Sequence, residues 1–278
     1  MRNFRHIEVR PSAGALGAEI HGVDIARDLA ADVAAEMRQA LLDHLVIFLR
    51  DQNVTPHQQL AFARRFGEPI EYPQLKGLPE TPLITPVVKL EHERNNFGGI
   101  WHSDTTYLPI PPMASMLLAR EVPPYGGDTM FANQYLAYDA LSDGLKNTLE
   151  GLVGVSSSAK ADVSRTREDR LKATGGELKV LTAEHPIVRT HPETGRKALY
   201  TSDAHTICIK GWTEAESQPL LKFLWAHQVR PELTCRFQWR VGSLAFWDNR
   251  CTMHNPINDY HGFRRIMHRI TLAGDRPR

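Results

Sequence analysis

Apolar side chains recur at near-helical spacing over residues 32–45, where Val33, Met37, Leu41 and Leu45 would share one face of a helix. The run Val46-Ile47-Phe48-Leu49 follows directly and predicts a strand. Thr55-Pro56 has the form of an N-cap with Pro at the first helical position, so a second helix is expected to reach about Phe66 and stop at Gly67. Residues 69–100 are rich in Pro, Gly and Asn and read as irregular, a flap over an active site. Met113–Arg120 reads as a buried strand, and Gly126-Gly127-Asp128-Thr129 as a turn feeding another. Ser142–Leu152 is a helix candidate, and the polar stretch 156–180, with Gly175-Gly176, predicts a mobile excursion. Pro186–Thr190 and Lys197–Thr201 flank His191-Pro192-Glu193-Thr194-Gly195 in a hairpin pattern. Thr213-Glu214-Ala215-Glu216 matches a capping box opening a helix to about Val229. Strands are expected over Thr234–Arg240, Ser243–Trp247 and Arg265–Leu272.

Strands therefore dominate the centre and end, with helices near the front and in insertions. That order fits a mostly β jelly roll with flanking helices better than an alternating βαβ sheet, and no Gly-rich dinucleotide or phosphate loop supports the latter. With 278 residues, 42% of them hydrophobic, the chain can bury a full core, and one domain over 1–278 is expected, with irregular insertions at about 69–100 and 156–180. Lys+Arg is 33 and Asp+Glu is 32, so no global basic field exists to attract nucleic acid. No run approaches the roughly 20 apolar residues of a membrane span, and Met1–His6 lacks a signal-peptide core. Cys208, Cys235 and Cys251 are an odd set without C-x-x-C spacing, which argues against a disulfide framework or zinc ribbon and for small buried hydrophobes in a cytoplasmic protein.

Three segments carry candidate chemistry. In Trp101-His102-Ser103-Asp104, a His and an Asp two apart on extended chain point the same way and could bind one metal. Alone this is weak: 13 His and 15 Asp in 278 residues give roughly 0.7 such pairs by chance, and the bland reading is a hydrogen-bonded pair. His6-Ile7-Glu8 has the same shape and reads as surface. In Trp247-Asp248-Asn249-Arg250-Cys251-Thr252-Met253-His254-Asn255, His254 would be a third ligand on a neighbouring strand of a rolled sheet, or else a core histidine capping Asp248. Two His and one carboxylate on one face of an octahedral ion leave three positions open and favour non-haem iron(II), whereas structural zinc needs a fourth ligand that is not evident. In the third segment, Arg265, Met267 and Arg269 share one face of a strand. Two inward guanidiniums need anionic partners, which a dicarboxylate would supply. The bland reading is a solvated basic edge strand, which Arg264 and His268 on the other face fit.

Together these segments resemble the taurine dioxygenase / 2,4-dichlorophenoxyacetate dioxygenase family over nearly the whole chain. The resemblance runs from Gly17-Ala18-Glu19-Ile20-His21-Gly22-Val23-Asp24 and Val46-Ile47-Phe48-Leu49-Arg50-Asp51-Gln52 through Trp101-His102-Ser103-Asp104, Gly126-Gly127-Asp128-Thr129 and His185–Pro192, to Trp247-Asp248-Asn249-Arg250 and Arg264–Asp275. It implies a double-stranded β-helix, cupin-like fold, and dimers or tetramers. It implies His102, Asp104 and His254 as iron(II) ligands, Thr129 and Arg265 on the distal carboxylate of 2-oxoglutarate, and Arg269 between this cosubstrate and the substrate's acidic group. Tyr72, Asn95, Thr105 and Arg269 are the candidate substrate contacts. The implied reaction uses O2 to hydroxylate a small organic acid and releases succinate and CO2. Asp104 argues for hydroxylation, because related halogenases lack this carboxylate. Taurine enzymes grip the sulfonate with a His shortly after Phe-Gly-Glu, but here Phe66-Gly67-Glu68 is followed by no His between His57 and His92. The expected substrate is therefore a different anion (another sulfonate, a sulfate ester or a phenoxyalkanoate), bulkier and less polar, with Phe97, Ile100 and Tyr107 beside the metal motif as the motivation. The alternatives are taurine dioxygenase itself, a non-catalytic metal-binding jelly roll, and a zinc hydrolase on the same ligands.

Overall fold

The chain begins by building the edge of a large sheet. In a computed structural model that describes residues 2–73, 75–160 and 179–278, β1 (Glu8–Pro11) pairs antiparallel with β2 (Ala18–His21). Helix α1 (Ala31–His44) buries Ala34, Met37, Ala40 and Leu41, and it ends where Leu45 adopts a left-handed φ of 67°. That reversal turns the chain straight into β3 (Val46–Leu49), buried at every position. Helix α2 (Pro56–Arg64) opens on a reciprocal cap: the Thr55 hydroxyl accepts from Gln58 N–H, and Gln58 Oε1 accepts from Thr55 N–H.

The stretch 69–100, expected to be mostly irregular, carries two strands within it. It contains β4 (Pro69–Ile70) and the six-residue β5 (Ile84–Lys89), both hydrogen-bonded to β16 (Arg265–Leu272). Pro86 inside β5 reads as a strand breaker. It is tolerated because β5 pairs on one side only, so the missing N–H need not face a neighbour. The remainder of the roll is β6 (Ala114–Glu121), β7 (Thr129–Asn133), β13 (Thr234–Phe237), β14 (Leu244–Asp248) and β15 (Thr252–Pro256). The last of these was not among the expected strand ranges, although His254 was expected on a strand.

The large sheet runs β1-β2-β3-β14-β6-β16-β4, with β5 on β16, and the facing small sheet runs β13-β7-β15. Strand alternation sorts the side chains. Phe48, Leu117, Ala245, Trp247 and Met267 point at the small sheet and meet Phe131 and Phe237; Phe48 and Phe237 stack with centroids 4.0 Å apart. Ile47, Leu49, Met116, Leu118 and Phe246 point the other way, under α1 and α2. This two-sheet roll is the expected jelly roll.

A side layer follows β7: α3 (Gln134–Asp139), α4 (Asp143–Leu149), β8 (Val153–Ser157), β9 (Thr182–Pro186), the hairpin β10 (Val188–Thr190) and β11 (Lys197–Leu199), β12 (Thr206–Ile209) and α5 (Glu214–Gln228). Helix α4 stops at Leu149, short of the expected Leu152, and residues 153–157 are strand. Most of the expected 156–180 excursion, residues 161–178, lies outside the described residues. Among the described residues, no helix is long and apolar enough to cross a membrane.

Candidate active site

His102 reaches the small sheet by a two-way backbone bridge to β15. His102 N–H donates to the His254 carbonyl at 3.0 Å, and His254 N–H to the His102 carbonyl at 2.8 Å. The bridge sets the imidazole centroids 4.2 Å apart. Asp104, two residues on, brings Oδ1 to 3.6 Å from His102 Nε2 and 3.7 Å from His254 Nε2. One ligand atom from each residue lies within 4.8 Å of the other two, and all three side chains are buried. The two side chains of the H-x-D motif thus point the same way, as their spacing predicted.

Four observations fit this triad to a metal ion. Asp104 Oδ1 is buried and accepts no hydrogen bond from the described residues. His102 Nδ1 lies 2.6 Å from the Ile100 carbonyl, which can only accept, so Nδ1 carries the proton and Nε2 keeps its lone pair. Burial holds His254 well below the usual imidazole range, so it is a neutral donor. Burial works to raise the Asp104 carboxyl, but the Arg269 guanidinium beside it holds it well below its ordinary value, so it is ionised. Gly98, at φ +72°, lies over His102; a Cβ there would sit 3.0 Å from Cε1 and 3.3 Å from Nε2. A second buried group, His191, Asp248 and Cys251, also brings three potential ligands together but has no free carboxylate oxygen. Arg250 grips Asp248 through both oxygens at 2.8 and 2.6 Å, and His191 adds a contact at 3.0 Å. Asp248 is therefore the residue with a capping histidine, and that histidine is His191 rather than His254.

Thr129 and Arg265 line the same cavity as His102 and His254. Arg265 is 5% exposed, and its Nε and one terminal nitrogen have no hydrogen-bond partner among the described residues. A buried guanidinium in this state is a socket for an anion. Trp239 Nε1 donates to the Thr129 hydroxyl at 3.0 Å, which leaves the threonine proton available for an incoming acceptor. Two left-handed glycines, Gly126 and Gly127, make the turn before β7; a Cβ on Gly126 would strike Asp259 at 2.6 Å. β16 is interior to its sheet, so the basic-edge-strand reading fails. On its other face Arg264 pairs with Glu91 at 3.2 Å, and His268 Nδ1 accepts from Arg120 at 3.1 Å.

The candidate substrate contacts divide. Arg269 lies between the two sheets as expected, but its guanidinium is paired with the outer oxygen of Asp104. Tyr72 joins it, with its ring 4.6 Å from the guanidinium carbon and edge-on to Phe97, a cavity-lining residue. Thr105 is buried beside Asp104 at φ +44°, with no protein partner for its hydroxyl. Asn95 does not join the site: it is exposed. Its neighbour Asn96 points inward, donates to the Pro256 and Ile257 carbonyls and accepts from the Tyr260 hydroxyl. Consecutive side chains on non-helical backbone diverge, so only one of the pair can face the roll. Ile100 offers the site its carbonyl, and Tyr107 packs edge-on to His205, whose ring is itself edge-on to His102. Trp239, His205 and Ser115, a donor to Asp104 at 2.7 Å, were not legible from sequence.

The sequence model of the family described as "Taurine catabolism dioxygenase TauD, TfdA family" matches residues 8–271. An alkylsulfatase of Acinetobacter baylyi is 35% identical, over 98% of this chain and 86% of its own. An alpha-ketoglutarate-dependent sulfate ester dioxygenase of Pseudomonas putida is 36% identical, over 98% and 91%. A crystal structure of a taurine dioxygenase from Burkholderia xenovorans superposes with a TM-score of 0.83 at 39% identity, over 98% of this chain and 91% of that one. Dependence on alpha-ketoglutarate is foreign to a zinc hydrolase or a non-catalytic jelly roll, and both readings fall. The chain belongs to the taurine catabolism dioxygenase TauD, TfdA family and is an oxidoreductase that uses Fe(II), 2-oxoglutarate and O2.

Proposed function

We propose that His102, Asp104 and His254 hold the iron, that Thr129 and Arg265 seat the distal carboxylate of 2-oxoglutarate, and that the chain hydroxylates a small organic anion, in the first instance an alkyl sulfate ester. The observation that carries the reading is that one cavity is lined both by His102 and His254 of the three-ligand cluster and by a buried arginine with two nitrogens lacking hydrogen-bond partners among the described residues. When bound, iron with 2-oxoglutarate supplies O2 activation coupled to oxidative decarboxylation. The rest is done by the chain. Arg269 keeps Asp104 ionised and stands where the substrate anion is met. Val87, Phe97, Leu117 and Pro256 form apolar walls that keep water from the reacting carbon.

A sulfate ester is favoured over taurine on two grounds. The chain lacks the histidine with which taurine enzymes grip the sulfonate, and two relatives at 35% and 36% identity are named for sulfate esters. Hydroxylation of R–CH2–OSO3⁻ at the ester carbon gives a product that collapses to R–CHO and HSO4⁻, with the second oxygen atom of O2 leaving in succinate. Taurine is the second reading, favoured by the Burkholderia structure. A cytoplasmic, reducing setting is supported by three cysteines outside any disulfide, and assembly into dimers or tetramers is the expectation the resemblance carries. The test is anaerobic loading with iron(II) and 2-oxoglutarate, then oxygen uptake and succinate release across alkyl sulfate esters, sulfonates and phenoxyalkanoates. Taurine turnover equal to or better than that of the sulfate esters overturns the substrate assignment. No substrate-stimulated oxygen uptake from any of these anions overturns the site.

A further inference from the structure

Asp104 is held from behind by a hydrogen-bond chain that starts two strands away. Trp247 Nε1 donates to Asn249 Oδ1 at 2.8 Å, Asn249 Nδ2 donates to Ser115 Oγ at 3.1 Å, and Ser115 Oγ donates to Asp104 Oδ2 at 2.7 Å. Ser115 and Asn249 are 0% exposed and Trp247 is 2% exposed, so water does not substitute for any link. The direction of the chain is forced. An indole N–H can only donate, so Asn249 turns its carbonyl oxygen to Trp247 and its NH2 to Ser115. Arg269 can also only donate, and its terminal nitrogen reaches Ser115 Oγ at 3.1 Å. Both acceptor positions of the hydroxyl are thus taken, and its one proton goes to Asp104. The sheet fixes the parts: Ser115 on β6 and Trp247 on β14 are direct cross-strand partners, and Asn249 stands at the turn just after β14.

We infer that Ser115 and Asn249 are positioning residues for the carboxylate of the metal site. They keep Asp104 Oδ2 engaged, so that only Oδ1, which accepts no hydrogen bond from the described residues, is offered to the ion. The number of oxygens matters. A carboxylate that gives one oxygen leaves three of six positions, two for 2-oxoglutarate and one for O2. A carboxylate able to swing in its second oxygen removes one of those three. This inference rests on Asp104 being a metal ligand, as proposed above.

Ser115→Ala removes the hydroxyl without adding volume. Asn249→Asp keeps an acceptor for Trp247 but presents a second acceptor to Ser115, which draws its proton away from Asp104. Each variant is titrated with Mn(II) and then with 2-oxoglutarate by calorimetry. The charge-transfer absorption of the anaerobic Fe(II)–2-oxoglutarate complex is recorded, and thermal unfolding reports the fold. Ser115→Ala is expected to unfold near the wild-type temperature, to bind 2-oxoglutarate about tenfold more weakly, and to shift the absorption band. Tenfold is the lower end for groups behind a ligand, because Arg269 remains on Oδ2. Asn249→Asp is expected to reproduce the band shift. Ser115→Ala binding Mn(II) and 2-oxoglutarate within twofold of wild type, with an unmoved band, overturns the inference. Wild-type protein that binds neither overturns the metal-site reading instead.

Discussion

Replacing Arg265 with methionine separates the cost of an empty anion socket from its use. The guanidinium is buried, two of its nitrogens lack hydrogen-bond partners among the described residues, and its protein neighbours include the Tyr260 hydroxyl and the Trp239 ring, 5.5 Å from Cζ. Burial pulls the group below the usual arginine range, a sign that the fold without an anion bears a cost for it. Methionine has similar volume and no charge, so the ligand-free variant should unfold at the wild-type temperature or above. The ligand loses two charge-assisted hydrogen bonds worth roughly 1.5–3 kcal/mol each. Thr129 remains, so the low end applies, about 3 kcal/mol, or a roughly hundredfold rise in the 2-oxoglutarate Kd. The assay is thermal and calorimetric, on Mn(II)-loaded protein. At a ligand concentration of about 100 times the wild-type Kd, wild type should gain about 2.7 kcal/mol of stability, and the variant at the same concentration only about 0.4 kcal/mol. A variant that binds 2-oxoglutarate within threefold of wild type refutes the socket. A ligand-free variant that unfolds several degrees lower refutes the claim that an anion, rather than Trp239 and Tyr260, is the guanidinium's main partner.

Asp104→Ala should abolish substrate-stimulated oxygen uptake and weaken Mn(II) binding by well over roughly tenfold, more than is usual for groups behind a ligand, measured by calorimetry. Gly98→Ala should weaken Mn(II) binding, because its Cβ presses on the His102 ring, and should cost roughly 1–2 kcal/mol in a urea titration from the left-handed backbone. Asn95→Ala should leave substrate KM within twofold, since the side chain is exposed, and a larger change would return Asn95 to the site. His268 carries a pH prediction: burial first, then Arg120, lowers it to about 4, so the fold refuses a proton that the unfolded chain accepts near pH 6.5. The unfolded state therefore binds more protons between those values, and stability is lost as pH falls from 6.5 towards 4. The drop in urea midpoint from pH 7 to pH 5 should be smaller in His268→Gln than in wild type.

Elements announced by local signals were legible. The capping boxes at Thr55 and Thr213 fix helix starts because they are contacts between residues three apart, and the hairpin at His191–Gly195 is set by its own turn. The elements that escaped owe their shape to distant partners. β5 contains Pro86 and lies in a stretch that composition marks as loop, but six backbone pairings to β16 hold it straight. β15 offers Thr252, Met253, His254, Asn255 and Pro256, with little of the apolar content that marks a strand. It is buried because its neighbour across the roll is the polar site rather than the oily core, and His254 pairs with Phe131 on β7.

The same division runs through the site. His102, Asp104 and His254 could be named from spacing and resemblance, but the sequence also offers Asp248 among nearby His and Cys, an equally buried carboxylate. Counting donors separates the two. Asp248 takes the Arg250 backbone N–H and two guanidinium nitrogens, and then His191, which uses both of its oxygens. Asp104 takes Ser115 and Arg269 on one oxygen and no hydrogen bond from the described residues on the other. Ser115 lies in the apolar run Met113–Arg120, where a serine passes for a small tolerated residue. Only its register against Trp247 and Asn249 gives it a proton to spend on Asp104. Residue type names which carboxylates can bind a metal, and the hydrogen bonds arriving from other strands decide which one still has an oxygen left to do it.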